Sequence, residues 1–136
     1  MPLIEKAIEI ATLAHEGQTD KAGAPYILHP LRVGLMGTTE ATIITGFLHD
    51  VLEDSEYPYS YIEAVFGPYI ALAVEALTRR EGESYEEFIQ RVYYCPLATE
   101  VKINDLCDNL DIRRSYSLPH SLYERYIKAL HKLQGR

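Results

Sequence analysis

The chain has no tryptophan, two cysteines, two methionines and a shortage of positive charge, with 13 lysines and arginines against 20 aspartates and glutamates and a formal net charge of −7. Each shortage excludes something. Cys95 and Cys107 show no CxxC spacing and make no disulfide framework. Both read as reduced thiols of a cytoplasmic protein, with Cys107 expected to be buried on its helix. The deficit of positive charge argues against binding a nucleic acid polymer, where neutralised phosphates dominate affinity. It leaves room for a small phosphorylated ligand, because one basic cluster or one metal ion overrides the mean field. Apolar runs are short: Ile70-Ala71-Leu72-Ala73-Val74 falls far below the ~20 residues of a membrane span, so no membrane partner is expected. Met1-Pro2-Leu3-Ile4-Glu5-Lys6 reads as the start of a helix rather than a signal peptide.

What is present is helical period almost throughout, with no segment alternating long enough for a strand. The 136 residues, 47% apolar and 24% charged, suit one domain spanning residues 1–136. A first helix is predicted from about Pro2 to Glu16, with Ile4, Ala7, Ile8, Ala11 and Ala14 as its buried stripe and Gly17 as its stop. A polar loop, Gln18 to Leu28, follows. Pro30 suits the first turn of the next helix and places His29 near its N-cap. Gly37 ends that helix, and Thr38 or Thr39 caps a third running to about Asp54. Capping boxes at Ser60 with Glu63, Ser84 with Glu87 and Ser121 with Glu124 mark later starts. Two further helices are expected from about Pro96 to Arg113 and from Pro119 to Leu133. The fold class is all-α, a single-domain helical bundle. Eleven tyrosines, several crowded at Tyr57, Tyr59, Tyr61 and Tyr69, fit helix packing or the interface of a homo-oligomer.

The third helix spends four positions on ionisable groups, His49, Asp50, Glu53 and Asp54. His49 and Glu53 share one face and Asp50 and Asp54 another. An HD dipeptide alone carries little weight, since a hydrogen-bonded core histidine and a solvated helix end account for it. Two other segments add to it. His29 precedes a proline at a helix start. Asp105 lies on a helix whose Val101, Ile103, Leu106 and Leu110 commit it to the core, with Lys102 and Asn109 on the same face as Asp105. Two imidazoles and two carboxylates suit a six-coordinate Mn²⁺ or Fe²⁺ better than a thiolate-bound Zn²⁺. Tyr26 is expected to touch a ligand, because the Lys21 to His29 loop must pass the metal.

The order His, His-Asp, Asp on helices resembles the HD superfamily of metal-dependent phosphohydrolases. More narrowly, three stretches resemble the hydrolase domain of Rel/Spo-type enzymes and their small stand-alone relatives, which hydrolyse the alarmone (p)ppGpp. The first is His15-Glu16-Gly17-Gln18 with Lys21, Gly23 and Pro25-Tyr26-Ile27-Leu28-His29-Pro30. The second is Leu48-His49-Asp50 with Glu53-Asp54, and the third Val101-Lys102-Ile103 with Asp105 and Asn109. The resemblance spans roughly residues 3–112. It implies Mn²⁺ held by His29, His49, Asp50 and Asp105, with Glu53 and Asp54 positioning and deprotonating the attacking water. It further implies that Lys21 faces substrate phosphate and that Asn109 contacts ribose.

Three positions depart from the family's pattern. Asp20 stands where a loop arginine packs against guanine, Leu106 where an arginine follows the last metal-binding aspartate, and Asp108 where a histidine lies. An acid beside a pyrophosphorylated ligand is expected to cost affinity, with Arg32 supplying part of the missing charge. The function expected is metal-dependent hydrolysis of a phosphate or pyrophosphate ester in a small nucleotide. A different phosphomonoester or phosphodiester, or a metal-stabilised nucleotide-binding module without turnover, stands as the alternative.

Overall fold

The computed structural model describes residues 1–115 and 118–135. Ten helices appear among them: α1 (Leu3–Ala14), α2 (Leu28–Leu35), α3 (Glu40–Leu48), α4 (Val51–Asp54), α5 (Tyr59–Phe66), α6 (Pro68–Ala76), α7 (Tyr85–Tyr93), α8 (Pro96–Leu110), α9 (Ile112–Ser115) and α10 (His120–Gln134). Among the described residues there is no strand, only an isolated bridge between Thr19 and Pro25. The all-α bundle expected from the period is what forms.

Two helices are central. α3 packs on α1, α2, α6 and α8, and α8 packs on α2, α3, α6, α7 and α10. Ile10, Ile44, Phe47, Leu48, Val101 and Leu106 form the middle of the core. The first helix buries Ile10 rather than Ile8, which lies exposed.

Helix starts match the sequence signals where a hydroxyl caps the helix. Thr39 accepts from the Thr42 amide ahead of α3, and Ser84 and Glu87 form a complete capping box ahead of α7. At α5 and α10 the expected serine caps fail, because Pro58 and Pro119 sit at the N-caps and the helices begin ahead of Ser60 and Ser121. A proline there has its φ already set and no amide to leave unpaired.

Two long helices are broken where the period predicts continuity. The third does not run to Asp54. The His49 ring donates through Nδ1 to the Gly46 carbonyl at 2.7 Å, which is the acceptor the Asp50 amide uses in an unbroken helix. Asp50 falls at φ −105°, ψ 1°, in the sparsely occupied bridge region. The chain then restarts as α4. The helix expected to reach Arg113 ends at Leu110, and Asp111, extended at ψ 120°, accepts from the Arg113 amide at 2.9 Å to begin α9.

Candidate metal centre and substrate cleft

The site begins with a close approach of α2 and α3. A Cβ on Gly46 would lie 2.7 Å from Gly34 Cα, and a Cβ on Gly34 would lie 2.2 Å from Phe47 Cδ1. The two glycines therefore let the backbones touch, which brings the His29 and His49 rings to 5.1 Å between centroids. His29 is the second residue of α2, one turn earlier than a mid-helix position and preorganised by Pro30. α8 adds Asp105 from the opposite side.

Both imidazoles aim Nε2 at the same place because their Nδ1 atoms are engaged behind. His29 Nδ1 pairs with Asp108 Oδ2 at 2.6 Å, and His49 Nδ1 with the Gly46 carbonyl. His29 Nε2 then lies 2.8 Å from Asp105 Oδ1 and 3.9 Å from Asp50 Oδ2. His49 Nε2 lies 3.1 Å from Asp50 Oδ2 and 3.3 Å from Asp105 Oδ1, yet finds no hydrogen-bond partner of good geometry among the described residues. One donor atom each from His29, His49 and Asp105 falls within a 4.8 Å group; Asp50 lies beside that group rather than in it, its Oδ2 accepting from the Tyr26 hydroxyl. His29, His49 and Asp105 are all buried.

Such a cluster must be neutralised. Burial opposes charge on His49, but Asp50 and Asp105 overcome it and raise its pKa well above the ordinary value; Asp105 and Asp108 do the same, more weakly, for His29. Burial likewise opposes ionisation of Asp50 and Asp105, but His49 holds the first low, and Lys102 and the two imidazoles hold the second low. Protonated imidazoles and a divalent cation are alternative ways to neutralise the same two carboxylates. An unpartnered Nε2 among converging carboxylate oxygens is the observation that fits the donor set to a cation. Lys102 Nζ, 2.7 Å from Asp105 Oδ2, is held above its usual pKa despite burial, Asp105 being the main cause.

Glu53 and Asp54 follow on α4. Glu53 Oε1 accepts from the Arg79 amide at 3.3 Å, and burial followed by the Asp50 charge raises its pKa. Partial burial, then Asp50 and Glu53, push Asp54 up to about 6. Gln18 braces this end: its Nε2 donates to the Asp54 carbonyl at 2.9 Å while its Oε1 meets His15 Nδ1 at 2.9 Å.

Two cavities open from the centre and share Asn109 and Tyr126. The inner one, about 260 Å³, is walled by His49, Asp50 and Glu53 and by the cations Arg79, Lys102 and Arg125. The outer one, about 380 Å³, is walled by Asp20, Lys21, Tyr26 and Arg114.

The HD domain family model matches residues 7–92, the stretch that contains His29, His49, Asp50, Glu53 and Asp54. The chain belongs to the HD domain family. The guanosine-3′,5′-bis(diphosphate) 3′-pyrophosphohydrolase of Aquifex aeolicus (strain VF5) is 35% identical over 119 residues, covering 79% of this chain and 17% of that protein. The GTP pyrophosphokinase of Streptomyces coelicolor is 37% identical over 91 residues, covering 64% of this chain and 11% of that one. The bifunctional (p)ppGpp synthase/hydrolase SpoT of Escherichia coli (strain K12) is 38% identical over 88 residues, covering 62% and 12%. This HD domain thus spans 17% or less of the length of these three relatives. A solved structure described as a metazoan ortholog of SpoT that hydrolyzes ppGpp superposes with a TM-score of 0.77 at 21% identity, covering 98% of this chain and 84% of that one. That likeness carries the fold.

Within the HD domain the sequence-predicted residues sort clearly. His29, His49, Asp50 and Asp105 converge; Glu53 lines the inner cavity, Lys21 and Tyr26 the outer, and Asn109 both. Arg32 does not reach the cleft as expected. Its guanidinium donates to Asp108 at 2.8 and 3.2 Å, because that buried carboxylate needs a counter-charge. Asp108 is therefore paired on both oxygens, with His29 and Arg32. It orients His29, in the carboxylate–histidine arrangement that fixes a metal-binding tautomer. Leu106 is core. Cys107 is exposed, since it points away from the face that buries Asp105, Leu106 and Asp108.

Sequence reasoning missed Arg125 and Tyr126, which α10 brings over the cleft. Arg125 lies 3.8 Å above the Tyr85 ring, and its Nε is buried without a partner among the described residues. No local signal marks it; its meaning arises only when α10 packs on α7 and α8.

Proposed function

We propose that this HD domain hydrolyses the 3′-pyrophosphate of a (p)ppGpp-like nucleotide in the cytoplasm, with Mn²⁺ as its ion. The observation that carries this reading is the placement of the His29, His49, Asp50 and Asp105 donor set beside a basic inner cavity, with a tyrosine-lined outer cavity adjoining it. The curated relatives named above as (p)ppGpp hydrolases support the substrate class. His29, His49, Asp50 and Asp105 would hold a divalent cation, which would supply Lewis acidity toward a phosphoryl oxygen and lower the pKa of a water. Arg79, Lys102 and Arg125 bind the phosphate oxygens. Glu53, its Oε1 anchored by the Arg79 amide, and Asp54 beside it orient the attacking water and take its proton. Lys102 is held charged by Asp105 and so serves as a cation, not a base. In the outer cavity Lys21 faces phosphate, Asn109 the ribose and Tyr26 the ligand's flank.

The test is a panel of phosphorylated nucleotides, including guanosine and adenosine 3′,5′-bis(diphosphate), incubated with the Mn²⁺-loaded protein while pyrophosphate release is followed. Pyrophosphate and the nucleoside 5′-diphosphate are the expected products. Glu53→Gln keeps its metal and its ligand affinity, and turnover falls by about 10²–10⁴-fold. Turnover unchanged at normal metal load removes Glu53 from the mechanism. Release only from other phosphoesters overturns the pyrophosphate reading.

A further inference from the structure

Asp20 is the position where the sequence predicts a penalty, and the structure gives it two occupations. Its Oδ1 accepts from the Ala22 and Ala24 amides at 2.9 and 3.0 Å, closing the loop that carries Lys21. Its Oδ2 faces the Arg114 guanidinium across the outer cavity, 4.0 Å from Nε. Arg114 also has Asp108 Oδ2 at 3.5 Å and donates through Nη1 to Asn109 Oδ1 at 2.6 Å. Neither carboxylate bonds Nε, which is buried without a partner among the described residues. Among the described residues the guanidinium is thus held by charge and by one hydrogen bond, with most of its five donors uncommitted. Its side chain is 17% exposed, on the wall of the cavity that also presents Tyr26 and Tyr126.

We infer that Arg114 is the base-selecting residue of this cleft and that Asp20 positions it, so the acid at position 20 helps nucleotide binding instead of opposing it. This rests on the nucleotide-hydrolase reading above. A guanidinium fixed in this way offers parallel N–H donors. Guanine presents two adjacent acceptors, O6 and N7, to such a fork, whereas adenine presents N7 beside an N6 donor that repels it. The cleft therefore prefers guanine. An arginine at position 20 would lose the loop-closing acceptor and set two guanidiniums against each other.

The deciding experiment measures initial rates with guanosine and adenosine 3′,5′-bis(diphosphate), inhibition by pyrophosphate alone, and calorimetric binding of GDP and ADP, all on the full chain with Mn²⁺. Arg114→Ala raises KM for the guanine substrate about tenfold, more than it lowers kcat, and brings the guanine and adenine values together. Pyrophosphate inhibition, which reads the inner cavity, stays within about threefold. Arg114→Lys keeps the charge and loses the guanine preference as well, which separates a fork from a point charge. Asp20→Asn retains the loop acceptor but not the charge, and weakens guanine binding with Arg114 present but not in the Arg114→Ala background. Asp20→Arg raises KM. An unchanged guanine-to-adenine ratio in Arg114→Ala, or a lower KM in Asp20→Arg, overturns the inference. If the wild-type protein turns over neither substrate, the hydrolase reading fails on its own, and the GDP and ADP affinities of the same variants still decide the role of Arg114.

Discussion

Asp54 shows how a single carboxyl reports its surroundings. In the metal-free protein it holds its proton up to about 6, against 3.8 for the unperturbed group. Between those values the folded state binds more protons than the unfolded one, so stability falls as pH rises through that window and levels off above it. Asp54→Asn removes this part of the slope. Melting curves in chelator should nearly coincide for variant and wild type at about pH 4 and separate by about pH 7, with the variant the more stable. Equal slopes for the two proteins would mean that neither burial nor the charges of Asp50 and Glu53 raise the Asp54 pKa. Asp54's nearness to Asp50 was legible in the sequence, because a four-residue spacing keeps one helical turn between them and the Asp54 amide still donates to the Asp50 carbonyl. The role of Asp108 was not. The sign of its effect depends on His29 and Arg32, 79 and 76 positions away in the chain, and an acid read without its partners looks only like misplaced charge.

Among the elements, the contact between α2 and α3 brings together His29 and His49 of the candidate metal centre. A methyl group at Gly46 meets Gly34 Cα at 2.7 Å and Gly34 N at 2.8 Å, and backbone cannot swing aside as a side chain can. Gly46→Ala is expected to cost about 1–3 kcal/mol as an overpacked contact, lowering Tm by several degrees. It should weaken Mn²⁺ binding disproportionately, since it parts the helices that bear His29 and His49. Leu35→Ala, at an exposed position of the facing helix α2, supplies the control. Calorimetric metal affinity unchanged in Gly46→Ala would falsify the link between this contact and the ligand set. Helix existence was readable from apolar spacing, but the interruption at His49–Asp50 was not. It arises because an imidazole competes for a main-chain carbonyl, and periodicity takes no account of side chains that bond backwards.

For the molecule as a whole, the proposed ion predicts a link between metal and fold. A cation that binds only the folded chain stabilises it by an amount set by its concentration relative to Kd, so chelation is expected to lower Tm and added Mn²⁺ to restore it. In His49→Ala both responses should vanish, together with metal binding. Full metal occupancy in that variant, measured by elemental analysis, would overturn the proposed ligands. No helix among the described residues is long and apolar enough to cross a membrane, in line with the short apolar runs.

By itself the sequence determined the helical character, the donor types and the acidic pair beyond them, because these depend on period and on local spacing. Tertiary structure alone decided which charges count. Packing of α8 on α2 made Asp108 a partner of His29 and tied Arg32 to it, while α9 packed on α8 and α10 packed on α7 and α8 placed Arg114 and Arg125 on the cleft. The energy of a buried charge depends on what lies within a few ångströms of it, and those neighbours come from distant parts of the chain.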